Sequence, residues 1–153
     1  MESKLTIYLA GPLFTEAERI WNKRLGDELV TLIPNAEVFL PQVQAMKHMK
    51  AASVDFQSLV DDCIRSLERA HVIVVVRDGS DADSGTCWEC GYGYAKRKRI
   101  IGVRTDFRGS EDEGLNAMLR RTCSKVIYHP STREDPASLA REIAAHISDS
   151  EPG

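Results

Sequence analysis

The chain has 153 residues, of which 42% are hydrophobic and 28% charged, and its formal net charge is −3 at pH 7. This length predicts a single domain over residues 1–153, and the apolar content is enough for a hydrophobic core. The negative charge argues against nucleic acid or an anionic membrane as the main partner. No signal peptide or long apolar span is evident, so we expect a cytoplasmic protein that is not bound to a membrane.

Apolar runs alternate with amphipathic segments five times along the chain. The runs predict strands over residues 4–10, 36–40, 72–76, 100–104 and 125–128. Helical spacing predicts helices over residues 15–32, 53–69, 86–96, 115–121 and 135–147. Residues 41–52 are expected to form a loop with some helix that covers a pocket. The alternation predicts an α/β three-layer sandwich with a five-stranded, mainly parallel sheet, Rossmann-like or flavodoxin-like.

Three of the predicted helices begin with a recognisable capping signal. Thr15 and Glu18 form the capping-box pattern, Ser/Thr-x-x-Glu, at the start of the first helix. Ser53 is the expected cap of the second helix. Pro136 suits the first position of the last helix, because its missing N–H would be unsatisfied there anyway.

Residues 71–99 organise the rest of the chain. The β-branched run from Val72 to Val76 is typical of a strand buried on both faces of a parallel sheet. Three aspartates follow it, Asp78, Asp81 and Asp83, and then a predicted helix that carries Glu89. Ligands bind at the carboxyl ends of the strands in such sheets. The active site is therefore expected in this acidic loop and the helix after it.

Asp83 and Glu89 are six residues apart, a spacing that can direct both carboxylates into one cleft. Two carboxyl groups about 5 Å apart are what a retaining glycosidic displacement requires, one as nucleophile and one as proton donor. The helix N-terminus favours the ionised form of Glu89, which a nucleophile needs. Neighbouring carboxylates disfavour a further charge on Asp83, which suits a proton donor.

Other interpretations of these residues remain open at this stage. The aspartates are also good turn residues, and their spacing suits a calcium or magnesium loop. Cys87 and Cys90 have C-x-x-C spacing, but the chain lacks a second ligand pair, so we expect structural thiols and no metal site. Neither G-x-G-x-x-G nor a P-loop is present, which removes the main support for dinucleotide or triphosphate binding.

Three motifs resemble those of the nucleoside 2-deoxyribosyltransferase family. Residues 8–14 (YLAGPLF) resemble its N-terminal motif, and residues 83–91 (DSGTCWECG) resemble its central D-x-G-T-x-x-E-x-G motif. Residues 116–118 (NAM) resemble its C-terminal N-x-M motif. The motifs occur in order and at suitable spacing, so the resemblance covers nearly the whole chain, and the central motif is the most specific of the three.

The resemblance implies a role for each matching residue. Glu89 would attack the anomeric carbon of a 2′-deoxynucleoside, giving a deoxyribosyl-enzyme and a free nucleobase. Asp83 would protonate the departing base and later deprotonate the incoming one. Tyr8 would hydrogen-bond Glu89 and hold it in place. The family requires no cofactor or metal.

The same resemblance implies a homo-oligomer, either a dimer or an assembly of dimers. Asn116 would come from a neighbouring subunit and bind the sugar 5′-hydroxyl, and Met118 would support that pocket. Gly11, which follows the first strand, would let backbone approach a ligand closely, although a simple turn explains it equally well. The further substrate-binding candidates are Phe14, Gln42, Asp78 and Gly85, with the amide of Gln42 or Gln44 a candidate for the base edge.

One position departs from the family pattern. The family commonly has Asp or Asn where this chain has Cys63, and Asp62 is rotated from it by about 100° on a helix.

We expect transfer of 2-deoxyribose between bases, because Asn116 favours a free 5′-hydroxyl. The alternative is an N-glycoside hydrolase acting on 2′-deoxynucleosides or nucleoside 5′-monophosphates. A lesser alternative is a non-catalytic nucleotide-binding module.

Overall fold

One parallel sheet is the centre of a computed structural model of the chain, which describes residues 4–49, 53–108, 115–130 and 135–149. Its strands are β1 (Leu5–Ala10), β2 (Ala36–Phe39), β3 (Val72–Val76), β4 (Arg99–Arg104) and β5 (Lys125–Tyr128). They lie in the order β2-β1-β3-β4-β5, and every neighbouring pair is parallel. This is the flavodoxin-like order of a doubly wound sheet, so the predicted fold class is confirmed.

The helices are α1 (Glu16–Leu32), α2 (Pro41–Met49), α3 (Phe56–Arg69), α4 (Ser84–Ala95), α5 (Ala117–Thr122) and α6 (Pro136–Ser148). In α2 the structure has a regular helix where a loop with some helix was expected. Proline suits a first helical turn, and the Gln, Ala, Met and Lys residues that follow are good helix formers. Within the described ranges, no helix combines the length and the apolar character needed to cross a membrane.

The helix starts agree with the sequence at two places and differ at a third. The capping box at Thr15 is present, and Pro136 occupies the first turn of α6. The expected cap at Ser53 is wrong. Asp55 caps α3 instead, with its carboxylate accepting a hydrogen bond from the Ser58 N–H at 3.0 Å. Aspartate is at least as good a cap as serine, so the helix starts two residues further along the chain.

Two helical layers cover the two faces of the sheet. One face packs against α1 and α6, and its buried residues include Ile7, Leu9, Val74, Leu25 and Ile143. The other face packs against α3 and α4, and its buried residues include Tyr8, Ile73, Val75, Leu67 and Cys90. The β3 strand is buried along its whole length, as the apolar run predicted. The alternation along β1 therefore turns Tyr8 towards the layer that contains Glu89.

A glycine allows α4 to lie directly on the sheet. A Cβ atom added at Gly93 would collide with the side chain of Ile73 on β3, whereas one added at Gly91 would meet no described atom within 4 Å. Close packing of the helix on the sheet therefore explains Gly93. It also fixes the height of α4 over the end of the sheet, where its N-terminal half carries the acidic residues.

Candidate active site

Tyr8 and Glu89 are joined by a hydrogen bond between β1 and α4. The Tyr8 hydroxyl donates to Oε1 of Glu89 at 2.5 Å. Tyr8 is completely buried and stacks on Phe39 at the end of β2, with their ring centroids 5.1 Å apart. A buried ring held on both sides has little rotational freedom. Tyr8 is therefore in place to fix the orientation of the Glu89 carboxylate.

Glu89 is half-buried, and its titration differs from the sequence expectation. Burial raises the pKa of Glu89 to about 7, the Tyr8 hydrogen bond opposes this rise, and the nearby Asp83 carboxyl adds to it. The expectation that the helix N-terminus would keep Glu89 ionised is wrong. Glu89 is the sixth residue of α4, and the helix dipole acts mainly within the first turn. Desolvation therefore outweighs the dipole.

Asp83 is the N-cap of α4. Its Oδ2 atom accepts hydrogen bonds from the Thr86 N–H at 2.8 Å and from the Thr86 hydroxyl at 2.9 Å. A Cβ atom added at Gly85 would lie 3.3 Å from the same oxygen, so Gly85 leaves room for the capping carboxylate. Three residues of the central motif thus build one helix start, which places Asp83 beside Glu89. Gly85 is itself exposed, and its assignment to substrate binding stays a prediction.

Asp78, a predicted substrate-binding residue, accepts hydrogen bonds from the segment that follows β4. Its carboxylate accepts hydrogen bonds from the Thr105 N–H at 2.6 Å, the Thr105 hydroxyl at 2.5 Å and the Asp106 N–H at 3.3 Å. These bonds tie the end of β3 to the end of β4. Both oxygens already accept hydrogen bonds within the protein, and the assignment of Asp78 to substrate binding stays a prediction. Among the described residues, no group of three or more His, Cys, Asp or Glu is arranged to hold a metal.

Two other predicted binding residues also have structural partners. Gln42 is 8% exposed, its Oε1 accepts from Asn22 at 3.2 Å, and its Nε2 donates to the Arg19 carbonyl at 2.8 Å. Both ends of its amide therefore have protein partners. At Gly11 an added Cβ atom would lie 3.2 Å from Val76, so close packing on β3 accounts for this glycine. The assignment of Gln42 and Gly11 to substrate binding stays a prediction.

The remaining predicted residues lie on the surface. Phe14 is 73% exposed and Met118 is 77% exposed. Asn116 is exposed and caps α5, accepting hydrogen bonds from the N–H groups of Met118 and Leu119. Asn116 lines a cavity to which Tyr8, Asp83 and Glu89 do not contribute. Within the described chain, the structure brings Tyr8, Asp83 and Glu89 together and leaves Phe14, Asn116 and Met118 outside that cluster.

A larger cavity lies beside the Tyr8–Phe39 stack. Its volume is about 410 Å³, and its walls include Phe39, Gln44, Asp62 and Ser66. An aromatic ring and several polar side chains in one concave surface suit a flat heteroaromatic ligand. Gln44, the other amide considered for the base edge, lines this cavity.

Cys63 occupies the position where the family pattern has Asp or Asn. Its thiol is near Tyr8, and burial raises the pKa of the Cys63 thiol. Asp62 points elsewhere, since its carboxylate binds His48 at 3.2 Å and also contacts Arg65. The rotation expected from helix geometry therefore separates Asp62 from the Tyr8–Glu89 pair. The His48–Asp62 contact joins α2 to α3.

The sequence comparison identifies the family of the chain. A model of the family described as nucleoside 2-deoxyribosyltransferase matches residues 7–119, well over half of the chain. This range contains Tyr8, Asp83 and Glu89 and all three motifs. A search of curated proteins found no match.

Solved structures share the fold at low sequence identity. A conserved protein from Enterococcus faecalis V583 is 22% identical with a TM-score of 0.77, covering 94% of this chain and 99% of its own. A 2-deoxyribosyltransferase from Bacillus psychrosaccharolyticus is 20% identical, with a TM-score of 0.65 and coverages of 88% and 90%. A CMP N-glycosidase from Clostridium botulinum is 15% identical, with a TM-score of 0.62 and coverages of 92% and 98%.

At these identities the structural matches establish the fold alone. The family assignment depends on the match over residues 7–119. The three motifs and the Tyr8–Glu89 hydrogen bond agree with it. This chain belongs to the nucleoside 2-deoxyribosyltransferase family.

Proposed function

We propose that the protein transfers 2-deoxyribose between nucleobases through a deoxyribosyl-enzyme formed on Glu89. The observation that carries this proposal is the hydrogen bond from the buried Tyr8 to Glu89, with Asp83 at the start of the same helix. A binding module has no need of a held carboxylate beside a second acid. A retaining displacement needs both.

In the first step the free Oε2 side of the Glu89 carboxylate attacks the anomeric carbon of a 2′-deoxynucleoside. The C–N glycosidic bond breaks, its electron pair leaves with the base, and a C–O bond to Glu89 forms. Tyr8 is a positioning residue, because its hydroxyl binds Oε1 and leaves the other oxygen for the sugar. The second step reverses these events with a different base, which regenerates the carboxylate.

Asp83 is the proposed proton donor to the departing base and proton acceptor from the incoming base. Both of its hydrogen bonds in the structure go to Oδ2. No described residue is bonded to Oδ1, so this oxygen is open to a substrate. The cap therefore fixes the carboxyl group without using the atom that the proton transfer needs.

The cavity of about 410 Å³ is the proposed site of the nucleobase. Phe39 lines this cavity and stacks on Tyr8, so one aromatic ring separates a base bound there from the Tyr8–Glu89 pair, which does not itself line the cavity. Gln44 supplies an amide that can both donate to and accept from a base edge. A base that stays bound after cleavage keeps water out, which favours transfer over hydrolysis.

The proposal also includes a neighbouring subunit that completes the site. Asn116 and Met118 are exposed and lie outside the Tyr8–Glu89 cluster. We propose that they complete the site of a neighbouring copy in a homo-oligomer, with Asn116 binding the sugar 5′-hydroxyl. Phe14, also largely exposed, is available to the same shared site.

The second candidate function is N-glycoside hydrolysis. The CMP N-glycosidase that shares the fold is the observation in its favour. The two reactions have the same first step and differ only in whether a base or water resolves the glycosyl-enzyme. Asn116 favours transfer in the proposal, because the family resemblance implies that it binds a free 5′-hydroxyl.

Chromatography of one reaction mixture separates these functions. The protein is incubated with deoxyinosine and adenine, and transfer is expected to give deoxyadenosine and hypoxanthine. Hypoxanthine with free deoxyribose would indicate hydrolysis instead. No reaction with deoxynucleosides or with deoxynucleoside monophosphates would contradict both candidates and favour a binding role. A Glu89→Gln variant is the matched control for background cleavage.

A further inference from the structure

Two cysteines that are far apart in the sequence, Cys90 and Cys123, meet beside a buried arginine. Arg77 directly follows β3 and is only 1% exposed. Its Nη2 atom donates to the sulfur of Cys90 at 2.8 Å and to that of Cys123 at 3.1 Å. Its Nε and Nη1 atoms have no hydrogen-bond partner among the described residues. The two sulfurs are therefore the groups that hold this buried guanidinium.

The two thiols also contact each other. They share a side-chain hydrogen bond, and the Cys90 sulfur lies 3.1 Å from the hydroxyl of Thr122, the residue before Cys123. Cys87, the other cysteine of the C-x-x-C pattern, is directed elsewhere, since its thiol donates to the Ala82 carbonyl at 3.7 Å. The fold thus pairs Cys90 with Cys123, a partner that the C-x-x-C spacing did not indicate.

This pair of thiols carries a negative charge at neutral pH. The hydrogen bond from Cys123 and the charge of Arg77 lower the pKa of the Cys90 thiol to about 6, although burial opposes the change. The same hydrogen bond, together with burial, raises the pKa of the Cys123 thiol, so the pair holds one thiolate and one proton. Transfer of that proton along the hydrogen bond places the thiolate on either sulfur. The thiolate is the form of cysteine that reacts with oxidants.

Cys123 is the more accessible member of the pair. It is partly exposed and lines a cavity of about 570 Å³, whereas Cys90 is fully buried. Cys123 directly follows α5, a short helix in which no residue is buried, so the end of this helix can move at little cost. A disulfide brings two sulfurs to about 2 Å, so sulfurs that are already hydrogen-bonded need only a small approach to form one.

We propose that Cys90 and Cys123 form a reversible disulfide when the protein meets a hydroperoxide. In the first step the thiolate of Cys123 attacks a peroxide oxygen, the O–O bond breaks, and a sulfenic acid forms as hydroxide leaves and takes the proton of Cys90. The Cys90 thiolate then attacks the oxidised sulfur, and the S–O bond breaks as the S–S bond forms. The second hydroxide takes a proton from solvent. The two sulfurs lose two electrons in all, and hydrogen peroxide is reduced to two water molecules.

The disulfide joins α4 to α5 by a covalent bond. The first of these helices carries Asp83 and Glu89, and the second is capped by Asn116. Oxidation therefore fixes one helix against the other and consumes no residue that the transfer chemistry uses. The proposal goes beyond the proposed function and does not depend on it.

Mass spectrometry of the full chain tests the disulfide. The reduced protein is treated with hydrogen peroxide under native conditions, alkylated in denaturant, and digested with trypsin without reduction. Trypsin releases Cys123 in peptide 122–125, and both Cys87 and Cys90 in peptide 78–96. The product that joins these two peptides should be at least about tenfold more abundant than in untreated protein, and dithiothreitol should remove it.

The peptide that contains Cys90 also contains Cys87, so a variant must identify the linked residue. Cys87→Ser is the matched control and should form the cross-link as the unmodified protein does, whereas Cys90→Ser should lose it. If replacement of the buried Cys90 prevents folding, fragmentation of the cross-linked peptide from the unmodified protein gives the same answer, because the unlinked cysteine carries the alkyl label.

Three results would overturn the proposal. They are the absence of a cross-link after peroxide treatment, a disulfide between Cys87 and Cys90, and a cross-link to Cys123 that is made by Cys87. No nucleoside is present in these reactions, so their outcome is separate from that of the base-exchange assay.

Discussion

Asp78 and Asp83 lie in the same acidic loop, yet their carboxylates are hydrogen-bonded differently. Both oxygens of Asp78 accept hydrogen bonds, from Thr105 and from the Asp106 N–H. Asp83 accepts two bonds from Thr86, both at Oδ2, and keeps Oδ1 open among the described residues. A fully bonded carboxylate is a structural tie, whereas a half-bonded one is held in place and still able to exchange a proton.

The number of carboxylate oxygens without a protein partner, rather than the density of aspartates, distinguishes Asp83 from Asp78. The same distinction applies to Glu89. Tyr8 binds only one of its oxygens, and burial raises its pKa to about 7. Asp83 and Glu89 each combine a fixed geometry with one available oxygen. The following changes test that distinction, beginning with the largest expected effect.

Replacing Glu89 with glutamine is expected to reduce base exchange by about 10,000-fold or more. The amide keeps the size and the hydrogen-bond acceptor for Tyr8 but is a very poor nucleophile, so no deoxyribosyl-enzyme forms. Chromatography of deoxyinosine and adenine reactions gives the rate. Exchange within tenfold of the unmodified protein would contradict the role of Glu89.

Asp83→Asn is expected to slow exchange by about 100- to 10,000-fold, the usual contribution of a general acid. Asparagine also caps helices well, so α4 and the melting temperature should change little. The measurement is kcat for deoxynucleosides with different leaving bases. The loss should be smaller for bases that leave without protonation, and an equal loss for all of them would argue against a proton-donor role.

Asp78→Asn is expected to affect stability and to spare the chemistry. The new amide places an N–H group opposite the donors of Thr105, which costs about 1–3 kcal/mol of unfolding free energy. Urea denaturation measures this loss. Asp81→Asn is the matched control, since Asp81 is exposed and surface changes usually stay within about 0.5 kcal/mol. A large loss of kcat in folded Asp78→Asn protein would erase the contrast with Asp83.

The pH dependence should report the burial of Glu89. Because the nucleophile must be ionised, kcat/KM of the unmodified protein should rise with pH and level off above about 7. The Tyr8 hydrogen bond lowers the pKa of Glu89, so Tyr8→Phe should move this rise to higher pH. A shift of about one pH unit would reduce the rate about tenfold below pH 7. Tyr94→Phe, an exposed tyrosine on α4, should leave the profile unchanged.

The same titration has a smaller effect on stability. The folded-state pKa of Glu89 lies above its ordinary value of 4.5, so ionisation destabilises the fold. The unmodified protein should lose on the order of 1–3 kcal/mol relative to Glu89→Gln as pH rises from about 4.5 through 7. Melting temperatures at pH 4.5 and pH 8 measure this difference. If the difference in melting temperature between Glu89→Gln and the unmodified protein is the same at both pH values, the burial argument is contradicted.

Local patterns in the sequence predicted the fold and the centre of the site. The run from Val72 to Val76 indicated a strand covered on both faces, and alternation with helices indicated a parallel sheet. The central motif directed attention to Asp83 and Glu89, which the structure places at the N-cap and in the second turn of α4. These features depend on residues a few positions apart or on a regular spacing of hydrophobic residues. Both can be seen in the sequence without knowledge of the fold.

The roles that the sequence did not reveal depend on distant partners. Asp78 binds Thr105, 27 residues away, and Gln42 binds Arg19, 23 residues away. Arg77 contacts Cys123 across 46 residues, and nothing near it in the sequence shows that it would be buried. The sequence alone does not distinguish the roles of such polar residues, because their hydrogen-bond partners come close only in the folded chain. The position of Arg77 directly after a buried strand is visible in the sequence. It does not by itself indicate that the arginine is buried or that its donors lack partners.

Trapping the intermediate tests the central claim most directly. The unmodified protein is mixed with a 2′-deoxynucleoside without an acceptor base, quenched in acid, digested and analysed by mass spectrometry. We predict a deoxyribosyl group on the peptide that contains Glu89, its loss when an acceptor base is added before quenching, and no such group in Glu89→Gln. Base exchange by the unmodified protein with the adduct absent, or present on another residue, would contradict the account.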